Sequence, residues 1–507
     1  MSSSEAVKPV EIISRHNIKS ANEASLNTIE SPFRSGPFET LVSPSIPVAV
    51  VFVYEKPSTP LDVELIPVQR LQHALALLLD HYPQLTGRLS IGSDGTPEID
   101  RLGSGVEVVE ARCSSRLDAF ASPSLSPGHI LLEQLPGAGN DLLAPFDPKL
   151  ESVCSDPIFT IQHTRFACGG VALGARLLHV VGDADGFFQV MRDLAELYRG
   201  ILSTDGNGRS TFDAPSLTNP PHIRCFMSEY SGGNMTLEDR RAALKFKPSM
   251  LFVRQPVVNG ADPPMPTFIE PPSPAEGRLL RFSSSELNAL KADGTDPNGS
   301  GWVSTFDALC AHLHQSVYRA RVQLRALNAS IGELTSADFL APVNLRTQLD
   351  LPSYYFPLAL FTPSTSFPLD VLSKGPLSQV AKAIHDLMRT SFTTSKDEIL
   401  ATLKWIAAQP DKTKIRTTFQ YGPGSLMISQ WNKFDIYPSM AFDKVPVLVA
   451  PPFTPISTLD GLGYLLPTEE QGTEGDSGAI DLYLSLSQPL WAILDQDEGF
   501  RKYKTAP

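Results

Sequence analysis

The chain has 507 residues, 42% of them hydrophobic, enough for at least two hydrophobic cores. Charged residues make up 19% and the formal net charge is -13, which sets aside generic binding to nucleic acid or to an anionic membrane. The longest apolar run, 46–54, is too short to span a bilayer, the first twenty residues lack a signal-peptide pattern, and the five cysteines show no CxxC spacing, so a cytoplasmic protein without disulfides or structural zinc is expected.

In chain order, "PVQRLQHALALLLDHYPQL" (67–85) predicts a helix ending at Pro83. "GVEVVEAR" (105–112) and "FTIQHTRFACGGVALGARLLHVV" (159–181) read as strands. "GFFQVMRDLAELYRG" (186–200) predicts an amphipathic helix stopped by Gly200. Two Pro- and Gly-rich stretches, 204–222 and 255–277, flank a short charged helix at 236–247. "STFDALCAHLHQSVYRAR" (304–321) opens with a capping box of Ser304 and Asp307 and puts Phe306, Cys310, Leu313 and Val317 on one face. Strands follow at 445–453 and 479–487. Helices and strands interleave in both halves, so the fold class is α/β with mixed β-sheets in two domains, 1–205 and 278–507, joined by a crossover linker at 206–277.

The chemistry centres on "LLHVVGDADGFFQ" (177–189), where His179 closes an apolar strand and Asp183 follows four places on. A neutral imidazole titrating near 6.5 can take a proton from an attacking alcohol or amine. The spacing alone is a weak signal: a core histidine bonded to a carbonyl, and an Asp183 held in a structural ion pair, fit it as well. Rival chemistries lack companions. "GDSG" (475–478) has no matching His motif, and no GxSxG, GxGxxG or Walker A loop occurs. His312 and His314, two apart on a helix, face different ways and read as packing and surface residues, so no metal site is expected.

The segment "HVVGDADGFFQVMRDLAELYRG" resembles the HxxxDG segment of the BAHD-type acyl-CoA-dependent acyltransferases, including its helix ending in Arg199-Gly200. Four further segments match in order: 41–54 resembles the family's first strand, and 78–100 its helix, turn and hairpin, with Tyr82-Pro83, Gly87-Arg88-Leu89 and Asp94-Gly95 in place. "WVSTFDALCAHLHQSVYRAR" and 339–361 resemble the second-domain helix and the strand bearing an Arg. The details lean to the fungal branch, which includes trichothecene acetyltransferases.

The resemblance implies two chloramphenicol-acetyltransferase-like domains with an active-site channel between them. It makes His179 the general base, pairs Asp183 with Arg346 to hold the loop, and gives the indole of Trp431 to the oxyanion, with Ser429 two places earlier. Gly186 belongs to the same loop. Acyl-CoA, such as acetyl-CoA, enters as co-substrate rather than as a tightly bound cofactor. The helix N-terminus at Ser304-Thr305 is a candidate for its phosphates. The partners expected are acyl-CoA and a small-molecule acceptor, and the state a monomer.

Three departures stand out. The family's Gly after the motif Asp is Ala184, which tolerates a positive φ less readily and predicts a different bend. The DFGWG box is replaced by "MAFDK", Met440 to Lys444, which puts a second-domain loop and the fit of CoA in question. The Gly-Asn after Phe356 is replaced by Pro357-Leu358. Two classes of function follow: an acyltransferase of secondary metabolism, or a weak or inactive relative binding a small molecule in the same channel. A peptide-synthetase condensation domain normally carries a second His just before the motif, where this chain has Leu178.

Overall fold

A computed structural model describes residues 10–503, apart from 57–63, 122–128, 202–214, 255–273, 300, 329, 330, 332, 335, 336, 394 and 420. Most of the two Pro- and Gly-rich stretches that define the expected linker therefore lies outside the described residues. The chain forms two compact units. The first comprises 1–235, 351–358 and 434–452, the second 236–350, 359–433 and 453–507. This division differs from three contiguous spans, because two stretches of the C-terminal half are built into the first unit.

The first unit holds a six-stranded mixed sheet, in the order Val10–Ile18, Val106–Cys113, Phe159–Phe166, Val171–Leu178, Pro47–Tyr54, Leu448–Ala450. Only the second and third of these strands pair in parallel; the other neighbours are antiparallel. Every residue of Val171–Leu178 is buried, as is Pro47–Tyr54 beyond Pro47. A strand covered on both faces needs no polar alternation, hence the unbroken Val-rich run. The Ala184–Gly200 helix covers one face, where Phe187 stacks on Phe52 with ring centres 6.4 Å apart. Elsewhere along Val171–Leu178, backbone comes so near that a Cβ on Gly174 would lie 1.9 Å from the Leu142 carbonyl oxygen, so only glycine fits.

The second unit has its own six-stranded mixed sheet, ordered Ala275–Phe282, Ile480–Ser487, Leu462–Pro467, Leu426–Gln430, Asp338–Leu340, Ser364–Ser366. The long Thr305–Leu327 helix packs with Ser284–Gly294, Leu377–Thr393 and Gln488–Leu494. Its capping box forms as the sequence predicts: the Ser304 hydroxyl accepts from the Asp307 N–H at 3.1 Å, and the Asp307 carboxylate accepts from the Ser304 N–H at 2.7 Å. His312 and His314 do face different ways, but neither is a surface residue. His312 bonds the Phe500 carbonyl at 3.2 Å and His314 the Gly424 carbonyl at 3.4 Å, both buried among aromatic rings. The five cysteines are free thiols, and among the described residues no helix is long and apolar enough to cross a membrane.

Candidate active site

His179 sits one residue beyond the buried Val171–Leu178 strand, and its N–H donates to the Ile46 carbonyl at 3.0 Å, prolonging the ladder to Pro47–Tyr54. A tight turn follows, closed by the Val181 N–H on the Leu178 carbonyl at 2.9 Å. The residue keeps part of its surface accessible, while Nδ1 is buried without a hydrogen bond of good geometry. Burial pushes the imidazole below its usual 6.5, against the pull of its own backbone, the Asp183 carboxylate and the Gly182 backbone. A base in this setting is neutral at pH 7 and ready to accept a proton.

Asp183 has a role that the sequence reading missed. It is the N-cap of the Ala184–Gly200 helix, with its carboxylate accepting from the Gly186 N–H at 3.0 Å. The helix therefore begins at Ala184, two residues before the expected start. Asp followed by a helical run is itself a capping signal, hidden here because Gly186 looked like part of a loop. Ala184 is the first helical residue and is not in the left-handed region, so its side chain brings no backbone strain there. Gly186 is required for closeness instead: a Cβ there would lie 2.1 Å from the Phe356 carbonyl oxygen.

Polar groups brace this helix from behind. The Tyr82 hydroxyl donates to Asp193 at 2.5 Å, and the Gln189 amide donates to the Tyr82 hydroxyl at 3.3 Å and the Tyr354 carbonyl at 2.9 Å. Phe356 packs edge-on against Tyr82 at 5.1 Å, so Pro357-Leu358 follows a well-held aromatic even without the family's Gly-Asn. Fully buried Glu39 is a second acid in this neighbourhood. Desolvation, which outweighs its bonds to backbone N–H groups, pushes its pKa up to about 7, with a small further push from Asp183.

The segment that replaces the DFGWG box belongs to the first unit, not to a second-domain loop. Asp443 accepts from Arg70 at 3.0 Å, the Ile66 N–H at 2.7 Å and the Tyr198 hydroxyl at 2.9 Å. Phe442 packs edge-on against Tyr54 and Tyr198, and the Met440 carbonyl accepts from the Tyr54 hydroxyl at 3.0 Å.

The remaining expected residues lie in the second unit. Arg346 follows the short Val343–Asn344 strand, and its N–H donates to the Asn344 side chain at 3.0 Å. On Leu426–Gln430, strand alternation puts Ser429 on the same side as Trp431, with Gln430 on the other. Ser429 pairs across to Tyr464, whose ring centre lies 4.8 Å from that of Trp431; Phe453 extends the aromatic cluster at 5.8 Å from Tyr464. The opposite side, carrying Gln430, opens on a cavity of about 530 Å³ that Ser304 and Thr305 also line. Ser284 and Thr305, the first residues of two helices, both reach this cavity, so two positive helix ends meet there. Arg389 and Lys433 add positive charge, with Arg389 4.8 Å above the exposed Trp302 ring, and His385 bonds the Asp307 carboxylate at 2.9 Å. The Ser304 hydroxyl is itself committed to its cap, and the Asp307 carboxylate also lines the cavity. Among the described residues no cluster of three His, Cys, Asp or Glu side chains could hold a metal ion.

Known proteins resemble this chain both in sequence and in fold. A family model described as the Transferase family matches residues 8–498. The chain is 25% identical over 442 residues to hydroxycinnamoyltransferase 2 of Oryza sativa subsp. japonica, covering 86% of each. It is 26% identical over 357 residues to benzyl alcohol O-benzoyltransferase of Petunia hybrida, covering 69% of this chain and 66% of the relative. Solved structures of similar fold include vinorine synthase (17% identity, 96% of each chain, TM-score 0.61). Another is F. graminearum TRI101 complexed with coenzyme A and deoxynivalenol (18% identity, 93% of this chain and 98% of that one, TM-score 0.63). The chain belongs to the Transferase family, that of the BAHD-type acyl-CoA-dependent acyltransferases.

Proposed function

We propose that this protein moves an acyl group from acyl-CoA to a hydroxyl or amine of a small hydrophobic acceptor, with His179 as general base. The observation that carries the reading is the placement of His179: partly accessible at the end of a rigid buried strand, kept neutral by burial, in a turn fixed by the Asp183 cap. A thioester is already activated, so the task is to take the acceptor's proton while its oxygen or nitrogen attacks the carbonyl. Collapse of the tetrahedral intermediate then expels the CoA thiolate, which recovers that proton from the imidazolium.

On this reading Trp431 donates its indole N–H to the oxyanion with Ser429 beside it, and Arg346 pairs with Asp183, roles carried over from the family resemblance. The basic cavity at Ser304 and Thr305 receives the CoA phosphates, supported by its two helix ends, Arg389 and Lys433. Relatives named for hydroxycinnamoyl and benzoyl transfer, and TRI101 crystallised with coenzyme A and a toxin, support acyl-CoA as donor and a small acceptor. Fungal secondary metabolism, a cytoplasmic location and a monomeric state complete the proposal. The inactive-relative reading rested on the altered box, and Asp443 gives that segment a full set of bonds, so no observation favours it.

The test is release of free CoA, read with a thiol reagent, from acetyl-, benzoyl- and hydroxycinnamoyl-CoA against a panel of hydrophobic alcohols and amines. Acceptor-dependent release is expected from at least one pair. His179→Ala is expected to lower it by about 10²–10⁴-fold with an unchanged melting curve. Equal rates in variant and wild type would remove His179 from the mechanism.

A further inference from the structure

A second cavity of about 530 Å³ lies in the second unit, and none of the candidate site residues lines it. Its floor is apolar and buried: Val343, Leu345, Phe361 and Ile399. Its rim is exposed and hydroxylic, with Ser249, Thr418 and Ser395 around the carboxylate of Glu398. Among the described residues no Lys, Arg or His lines it. The hydroxyls of Ser249 and Thr418 form no hydrogen bond with any described residue. The basic cavity in the same unit, with Arg389, Lys433 and His385, has the opposite character.

Strand alternation separates this cavity from the proposed chemistry. Val343 lines it while its strand neighbour Asn344 does not; beyond the strand Leu345 lines it and Arg346 does not, and Phe361 lines it from the paired strand. We propose that this cavity is a distinct binding site for a neutral lipophilic molecule with a hydroxyl or amine at one end. The apolar body rests on the Val343–Leu345 floor and the polar end meets the hydroxyl rim. The volume suits a ligand of drug size. Anions are disfavoured, because a phosphate or carboxylate would enter beside Glu398 with no cation to receive it. The inference stands on the cavity alone and does not depend on acyl transfer at His179.

The experiment uses the full chain and N-phenyl-1-naphthylamine, a neutral lipophilic probe whose emission rises in apolar surroundings. Saturable one-site binding is expected, unaffected by coenzyme A, and at least tenfold weaker for the anionic analogue 8-anilinonaphthalene-1-sulfonate. Thr402→Phe, at another buried residue of the cavity lining, is expected to weaken the neutral probe at least tenfold. Ser249→Trp, on the exposed rim where folding is not at stake, is expected to do the same with a wild-type melting curve. Failure to saturate, displacement by coenzyme A, equal or tighter binding of the anionic analogue, or wild-type affinity in a folded variant would overturn the proposal.

Discussion

The turn at His179 and the segment at Met440–Lys444 present opposite cases. The first keeps the family's residues almost letter for letter, and the structure adds only that Asp183 also caps a helix. The second keeps none of the DFGWG glycines or its Trp, yet Asp443 gathers three donors from elements far away in sequence. It also steadies Ile66, a β-branched residue at φ 45°, whose N–H bonds Asp443 and whose carbonyl bonds His163 at 2.8 Å. Such a backbone persists only where its surroundings hold it. A motif lost in letters is not a structural role left empty.

Three substitutions press on this contrast. Asp443→Ala strands Arg70, the Ile66 N–H and the Tyr198 hydroxyl together, and is expected to cost about 2–3 kcal/mol, read as a lower denaturant midpoint. A neutral result would make the segment a bystander and restore the simpler view that the box is merely degenerate. Gly186→Ala, which drives a Cβ toward the Phe356 carbonyl, is expected to cost about 1–3 kcal/mol and to lower turnover by shifting the His179 turn. A stable, fully active variant would show that the close approach is not required.

The smallest effect concerns Glu39. Its pKa is raised on folding, so the folded state holds a proton that the unfolded state releases, and this contribution is lost as pH rises from the usual 4.5 through about 7. Glu39→Gln is therefore expected to melt higher than wild type at pH 8, by about 1 kcal/mol, and no higher at pH 5. The reverse order would mean that Glu39 is held ionised.

The strand into His179 and the following helix were legible because an unbroken apolar run and a 3.6-residue period are local signals. So was the Ser304–Asp307 capping box, three residues wide. What was not legible is non-local. Arg70 and Asp443 lie 373 residues apart, and nothing in either segment announces the other. The return of 351–358 and 434–452 to the first unit is equally silent, which is why the altered box was expected in the wrong domain. Gly186 was read as part of the loop, and nothing local told that the neighbouring Phe356 carbonyl leaves no room for a side chain there.

The central claim is that a partly accessible, neutral imidazole at position 179 takes the acceptor's proton. It is tested most directly by kcat/KM for CoA release, measured from pH 5 to 8 in wild type and His179→Ala. The account predicts an acid limb in wild type with its midpoint below 6.5, where protonation of the lowered-pKa base removes activity, and no such limb in the variant's residual rate. A limb centred above 7, or the same limb in both proteins, would contradict it.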